Sequence, residues 1–167
     1  MSNKSFTLIE VLAAIFLITV GIAAALIVIN QTTAFTQVTS SKLVASYLAQ
    51  EGIEIVKNIR DTNFLKIHKG VGGISWNSGL PSGTYYNFDY RSEAVPDDSN
   101  CPGKNYLKFE SNFYKCSATA NSQKLQRKIT LTPDGSDILK VSVEVSWQER
   151  GREHQVIAQE NLYKWLY

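Results

Sequence analysis

The pattern of apolar and polar positions divides the first thirty residues sharply from the rest of the chain. Residues 11–29 are apolar apart from Thr19 and Gly21. The segment from Phe6 to Ile29 has about 24 residues, which as a helix would extend roughly 36 Å. Because the hydrocarbon core of a bilayer is about 30 Å thick, the pattern predicts a membrane-spanning helix.

A single carboxylate interrupts this pattern at Glu10, and no further charged residue follows before Lys42. An ionised side chain inside a bilayer costs roughly 2.5 to 3.5 kcal/mol or more. Glu10 therefore needs a partner, and the next thirty residues of its own helix contain no cation that could be one.

After Ile29 the composition becomes polar but uncharged, and neither Pro nor Gly occurs between residue 30 and Gly52. Apolar residues then recur at helical spacing, which predicts that the helix continues to about Arg60 with one face against a sheet. A strict heptad is absent, so a free-standing coiled coil is excluded. The residues of this apolar face are Ala45, Ala49, Ile53, Val56 and Ile59.

The remaining chain has the pattern of a loop followed by strands. Residues 61–83 are rich in glycine and predict a connecting loop. Alternation predicts strands over 84–90 and 106–110, at Ile129 and Leu131, over 141–147 and, as a return strand, over 154–163. The charged turn between the last two strands contains Arg150 and Arg152, for which solubility is the first interpretation and a binding role the alternative.

Size and charge set limits on function. A chain of 167 residues with a membrane segment leaves enough for one small globular domain. The formal net charge is only +2, so nucleic acid is not expected as the main partner. Tyr and Phe are abundant while Met and Pro are scarce, which favours an aromatic-rich sheet over a helical bundle.

The chain has two cysteines, Cys101 and Cys116. If the globular part lies outside the cytoplasm, one disulfide between them is the simplest use, and closing a loop of roughly 15 residues adds about 3 kcal/mol in the chain-entropy model. The alternative, a zinc site, lacks the further Cys or His ligands that tetrahedral zinc requires.

Other candidate sites have simpler interpretations. His68 could be a metal ligand or proton shuttle, but a solvated loop histidine is the default. The acidic residues Asp97 and Asp98 could bind calcium, or form an ordinary solvated turn, since regular ligand spacing is absent. Trp165 and Tyr167 suit packing better than ligand binding. With no phosphate-binding loop or catalytic constellation, we expect no enzyme activity, no catalytic residue, no metal and no cofactor.

Two ordinary explanations of the N-terminus are a cleaved secretory signal, with Lys4 as its basic residue and Ala23-Ala24-Ala25 near its cleavage site, and a plain signal anchor. The first is disfavoured because the apolar run continues to Ile29. Neither explains Glu10.

The segment Ser5-Phe6-Thr7-Leu8-Ile9-Glu10-Val11 resembles the processing site of type IV prepilins and of the pseudopilins of type II secretion. The resemblance implies cleavage between Ser5 and Phe6 by a prepilin peptidase, N-methylation of Phe6, and pairing of Glu10 with the amino group of a neighbouring subunit during assembly. The family usually has Gly before the cut, where this chain has Ser5, another small residue.

The resemblance also implies a fold and a set of partners. The expected fold is α+β and type IV pilin-like, with a long N-terminal helix packed on an antiparallel sheet. Its parts are a leader (1–5), a membrane or filament-core half-helix (6–29), an amphipathic half-helix (30–60) and a globular head (61–167), in which a disulfide-bounded loop is also typical.

The expected function is a major or minor structural subunit of a type IV pilus or a secretion pseudopilus. Its partners would be membrane lipid, other pilin or pseudopilin subunits, the peptidase, a platform protein and an assembly ATPase. It would lie in the inner membrane with an extracytoplasmic head before joining a filament at the cell surface. The alternative is a single-pass, membrane-anchored extracytoplasmic binding module that does not polymerise.

Overall fold

The computed structural model describes residues 7–86, 88–96, 106–121 and 124–165. One helix, α1 (Leu8–His68), precedes six strands: β1 (Gly83–Tyr85), β2 (Tyr106–Glu110), β3 (Phe113–Ser117), β4 (Gln126–Asp134), β5 (Ile138–Glu149) and β6 (Arg152–Tyr163). The chain forms two compact units, of which the first ends at Ser41 and the second begins at Lys42. The predicted α+β architecture, a long N-terminal helix with antiparallel sheets, is confirmed.

The second unit contains two antiparallel sheets. Four strands pair in the order β1-β4-β5-β6, and β2 pairs with β3 in a separate hairpin. In the larger sheet, Val143 lies opposite Ile129 on β4 and opposite Ala158 on β6. Because side chains alternate between the faces of a strand, this register places one row of apolar residues on the same face of all three strands.

The core of the second unit lies between that face and the last seven turns of α1. Gly52 permits the closest approach, since a Cβ added there would lie 2.7 Å from Cγ1 of Val143. Burial of apolar area supplies the main stabilising free energy of such a core. Its central members are Ala45, Leu48, Ala49, Val56, Ile59, Ile129, Leu131, Val141, Val143 and Val145.

The helix is longer than its sequence pattern predicted, because it ends at His68 rather than near Arg60. Two residues in the extra turns are buried and make tertiary contacts. The side-chain amide of Asn63 donates to the carbonyls of Trp76 and Ser78, and the ring of Phe64 packs against that of Trp165 at 4.7 Å. These contacts come from distant residues, so local periodicity does not reveal them.

The strands differ from their predicted bounds chiefly at β1 and β4, and the sequence pattern did not predict β3. The alternation over 84–90 predicted one long strand, but β1 ends at Tyr85, and both Phe88 and Asp89 are buried outside any strand. The short strand predicted at Ile129 and Leu131 is instead nine residues long. The strand predicted over 141–147 is confirmed, with its valines and Trp147 buried at every second position.

The β5–β6 hairpin turns through only two residues. Arg150 and Gly151 both have positive φ angles, of 52° and 75°, which is the backbone conformation that a two-residue hairpin requires. Glycine reaches it without steric cost, and this makes Gly151 the sequence signal for the turn.

Candidate functional site

Thr7 caps the N-terminal end of α1. Its carbonyl accepts from the amides of Glu10 and Val11 at 3.1 and 3.2 Å, and its hydroxyl lies 3.4 Å from the Glu10 amide. The order Thr-x-x-Glu at the start of a helix is that of a capping box. Glu10 therefore has a local role that sequence reasoning missed, since a carboxylate in the first turn stabilises a helix by about 0.3 to 1 kcal/mol.

Beyond Glu10, the apolar side chains of the first unit are exposed on every side of the helix. Leucine, isoleucine, valine and phenylalanine side chains between Leu8 and Ile29 are between about one half and four fifths exposed. By length and composition, α1 is able to cross a membrane, and none of its most apolar 18 residues is buried. A helix that is apolar all round, and not covered by its own chain, requires a lipid or protein environment.

Four threonine hydroxyl groups in the first unit donate to carbonyls of the same helix. Thr19 donates to the carbonyl of Phe16 at 2.9 Å, and three threonines nearer its end each donate to the carbonyl four residues earlier. These three are Thr32, Thr33 and Thr36. A polar group in a nonpolar environment is costly unless it is hydrogen-bonded, so these bonds remove that cost.

The predicted processing residues Ser5 and Phe6, and with them the methylation site, lie outside the described residues. Cys101 and the acidic pair Asp97 and Asp98 also lie outside them. Cys116 is buried on β3, and its amide donates to Oδ2 of Asp89 at 3.2 Å. The cleavage, the methylation, the disulfide and the calcium alternative therefore stay predictions.

His68 is exposed at the last residue of α1. Within the described ranges, no group of three or more His, Cys, Asp or Glu side chains is arranged to hold a metal ion.

A buried arginine holds the helix of the second unit to its sheet. The residue Arg127 on β4 is 1% exposed, and its Nη1 donates to the carbonyl of Leu48 at 3.1 Å and to Oε1 of Glu51 at 3.0 Å. Its guanidinium lies over the ring of Phe88, 4.7 Å from the centroid. One cation thus joins the sheet, the helix and the segment after β1.

The electrostatics of this cation depend on its partners. Burial lowers the pKa of the Arg127 guanidinium, and the carboxylate of Glu51 opposes that shift. Among the described side chains, Nε of Arg127 is buried without a hydrogen-bond partner. A buried charge of this kind is tolerated only while its counter-charge remains in place.

Sequence reasoning missed Arg127 because a charged residue at the start of a strand is usually exposed. A signal was nevertheless present, since Arg127, Ile129 and Leu131 occupy alternate positions and so lie on the same, buried face.

A second buried charge, Asp89, follows Phe88 directly in the chain. The carboxylate of Asp89 is fully buried, accepts from the backbone amide and guanidinium of Arg91, and also accepts from the amide of Cys116. Burial raises the pKa of Asp89, but the hydrogen bonds from Arg91 and Cys116 outweigh it and leave the pKa below its usual value. Asp89 therefore ties the segment after β1 to the β2–β3 hairpin.

Comparison with known proteins identifies the N-terminus. Residues 1–26 match the family model described as the prokaryotic N-terminal methylation motif. This motif is the prepilin-type signal of type IV pilins and pseudopilins, so the resemblance inferred from residues 5–11 is confirmed. The matched residues include Glu10 and most of the apolar segment, and none of the second unit. No curated protein and no solved structure matches the chain.

Proposed function

We propose that the chain is a structural subunit, major or minor, of a type IV pilus or a type II secretion pseudopilus. The observation that carries the proposal is that the methylation motif and an exposed apolar helix occupy the same part of the chain. The methylation motif covers residues 1–26, and the helix that follows from Leu8 exposes apolar side chains on every side. A prepilin-type signal marks the chain for processing, and an uncovered apolar helix is what a subunit needs to lie first in lipid and then against its copies.

In the proposed pathway, a prepilin peptidase cuts between Ser5 and Phe6 and the new amino group of Phe6 is methylated. The helix is held in the inner membrane with the second unit outside the cytoplasm. A platform protein and an ATPase then drive assembly with other pilin or pseudopilin subunits. The motif and the fold support a structural role for the chain.

The proposed role of Glu10 is to pair with the amino group of Phe6 on a neighbouring subunit. Opposite charges attract much more strongly in a poorly hydrated environment than in water. Removing one partner from a buried pair typically costs roughly 3 to 5 kcal/mol, whereas its role in capping accounts for about 1 kcal/mol at most. Assembly should therefore depend on Glu10 much more than the stability of the helix does.

Replacing Glu10 by Ala separates a filament subunit from a membrane-anchored module that does not polymerise. We expect the E10A variant to insert in the membrane and fold normally but to be lost from sheared filaments. The control is Glu54→Ala, which removes a 60% exposed carboxylate from the same helix within the second unit. Filaments that incorporate E10A as well as E54A would contradict the assembly role.

Mass spectrometry of the mature N-terminus tests the processing step directly. We expect a chain that begins at methylated Phe6. A chain that begins at Met1, or near Leu26 after signal-peptide cleavage, would rule out prepilin processing.

We also propose that Cys101 and Cys116 form one disulfide outside the cytoplasm. The mass of the protein should then increase by two labels when alkylation follows reduction, compared with alkylation alone. Reduction should lower the free energy of unfolding by about 3 kcal/mol. Two cysteines that alkylate without reduction would refute the pairing.

A further inference from the structure

A cavity of about 460 Å³ lies in the second unit, between the last turns of α1 and the segment after Asp89. Its lining includes Asn58, Thr62, Asn63 and Lys66 from the helix and Ser92 and Glu93 from that segment. Its volume is within the roughly 300 to 1,000 Å³ that is typical of small-molecule sites. None of these residues belongs to the methylation motif or to the contacts of Arg127.

The floor of the cavity contains a buried amide whose orientation is fixed. Asn63 is 5% exposed, and its Nδ2 donates to the carbonyl of Trp76 at 3.1 Å and to that of Ser78 at 2.7 Å. Two carbonyl acceptors determine which end of the amide is nitrogen, so Oδ1 is turned away from both. No donor in the described ranges bonds to Oδ1, which leaves an acceptor available to a molecule in the cavity.

Ser92 supplies the matching donor. It is 5% exposed, and its Oγ accepts from the backbone amide of Asp89 at 2.9 Å. A hydroxyl that accepts in this way still has its own hydrogen to donate. The buried floor therefore offers one acceptor and one donor, both of which are neutral.

The rim contains two opposite charges. The side chains of Lys66 and Glu93 are exposed, and neither forms an ion pair or a hydrogen bond with any residue that the structure describes. Arg91, two residues before Glu93, is by contrast bound to the buried Asp89. An ammonium and a carboxylate that line one cavity without pairing are complementary to a ligand with both charges.

We propose that this cavity binds a free α-amino acid with a short hydroxyl side chain. The carboxylate of the ligand pairs with Lys66, its ammonium pairs with Glu93, and its hydroxyl reaches Oδ1 of Asn63 and the hydroxyl of Ser92. Such a site would let the second unit respond to a small polar solute. It does not depend on the proposed role in filaments, since no residue of the first unit takes part.

Calorimetric titration of the full-length protein in detergent micelles tests the proposal with L-serine as the probe. Each ligand charge is removed separately, by N-acetyl-L-serine, which lacks the ammonium, and by L-serinamide, which lacks the carboxylate. We expect serine to bind saturably and each analogue to bind roughly three- to tenfold more weakly, as is typical of partly exposed ion pairs. L-Alanine should also bind more weakly than serine because it cannot reach the floor.

Variants of the protein identify which residue recognises which charge. In Lys66→Gln, serine and serinamide should bind equally, and in Glu93→Gln, serine and N-acetyl-serine should bind equally. The control Lys69→Gln removes a nearby exposed cation that does not line the cavity, and it should leave all affinities unchanged. Unchanged thermal unfolding of the three variants shows that they are folded.

Three results would overturn the proposal. These are the absence of saturable binding of serine, equal binding of serine and both analogues to the unmodified protein, and an effect of Lys69→Gln as large as that of Lys66→Gln.

Discussion

The partnership between Arg127 and Glu51 leads to a quantitative prediction about the second unit. Replacing Glu51 by Gln keeps a side chain of nearly the same shape and an oxygen that accepts from Nη1, but removes the negative charge. Arg127, whose side chain is 0% exposed, would then be a buried cation with only neutral acceptors and the more distant Asp89. The change therefore isolates the electrostatic part of the interaction.

The expected cost follows from the unequal burial of the two partners. Breaking a fully buried pair costs roughly 3 to 5 kcal/mol, whereas an exposed pair contributes less than about 1 kcal/mol. Because Glu51 is 35% exposed, water screens part of the attraction, and we expect a loss of about 2 kcal/mol. For a domain of this size, such a loss lowers the melting temperature by about 6 to 10 °C.

Urea unfolding of the full-length protein in detergent, followed by near-ultraviolet circular dichroism, measures this change. The matched control is Glu54→Gln, since Glu54 is 60% exposed and lies 3.5 Å from its partner Lys57. We expect it to cost less than about 1 kcal/mol. If Glu51→Gln is no more destabilising than Glu54→Gln, Arg127 does not depend on Glu51.

A double variant distinguishes a buried charge from lost packing. Adding Arg127→Met to Glu51→Gln removes the cation and its unpartnered Nε together. The double variant should then be more stable than Glu51→Gln alone, because a buried ion replaced by an apolar side chain of similar volume is often neutral or stabilising. A further loss of stability would show instead that the contacts of the guanidinium outweigh its desolvation.

Two further predictions concern the same unit. In the folded protein the pKa of Asp89 lies below its ordinary value near 3.8. The stability that Asp89 contributes is therefore present above pH 3.8 and is lost as the pH falls through the pKa of the folded state. Melting temperatures measured over a pH series should show this loss at acid pH in the unmodified protein and not in Asp89→Asn. Gly52→Ala should destabilise the second unit by about 1 to 3 kcal/mol despite the better helix propensity of Ala, because the new methyl group meets Val143 at 2.7 Å. Its control is Gly21→Ala, where an added Cβ meets nothing within 4 Å, and equal unfolding curves for the two variants would contradict the close helix–sheet contact.

The features that could be predicted from sequence are those that depend on the order of residues within a short stretch of chain. The apolar run of the first unit indicates a long helix by its length and composition, and the alternation from Val141 to Trp147 specifies both a strand and its buried face. The motif around Glu10 is likewise local, since its recognition needs only a few neighbouring residues. These predictions succeeded because each depends on a short stretch of chain.

The features that sequence could not predict depend on partners far along the chain. Arg127 is buried because it meets a helix residue 76 positions away and a carbonyl 39 positions away, and no local pattern encodes either contact. The aromatic alternation through Phe88 resembles a strand, yet the segment leaves the sheet after Tyr85 and buries Phe88 beneath the guanidinium of Arg127. The cavity beside Asn63 likewise exists only once the loop containing Ser92 has folded onto the helix.

Four threonines of the first unit, Thr19, Thr32, Thr33 and Thr36, have a consequence for the proposed transfer of the helix from lipid into a filament. Their hydroxyl groups donate to carbonyls of the same helix, so no hydroxyl hydrogen bond has to break or form when the neighbours of the helix change. Exchange of lipid tails for the side chains of another protein then alters dispersion contacts and leaves these hydrogen bonds intact. Between Thr7 and the end of the first unit, Glu10 is thus the one charged side chain that would exchange its electrostatic environment in the proposed transfer.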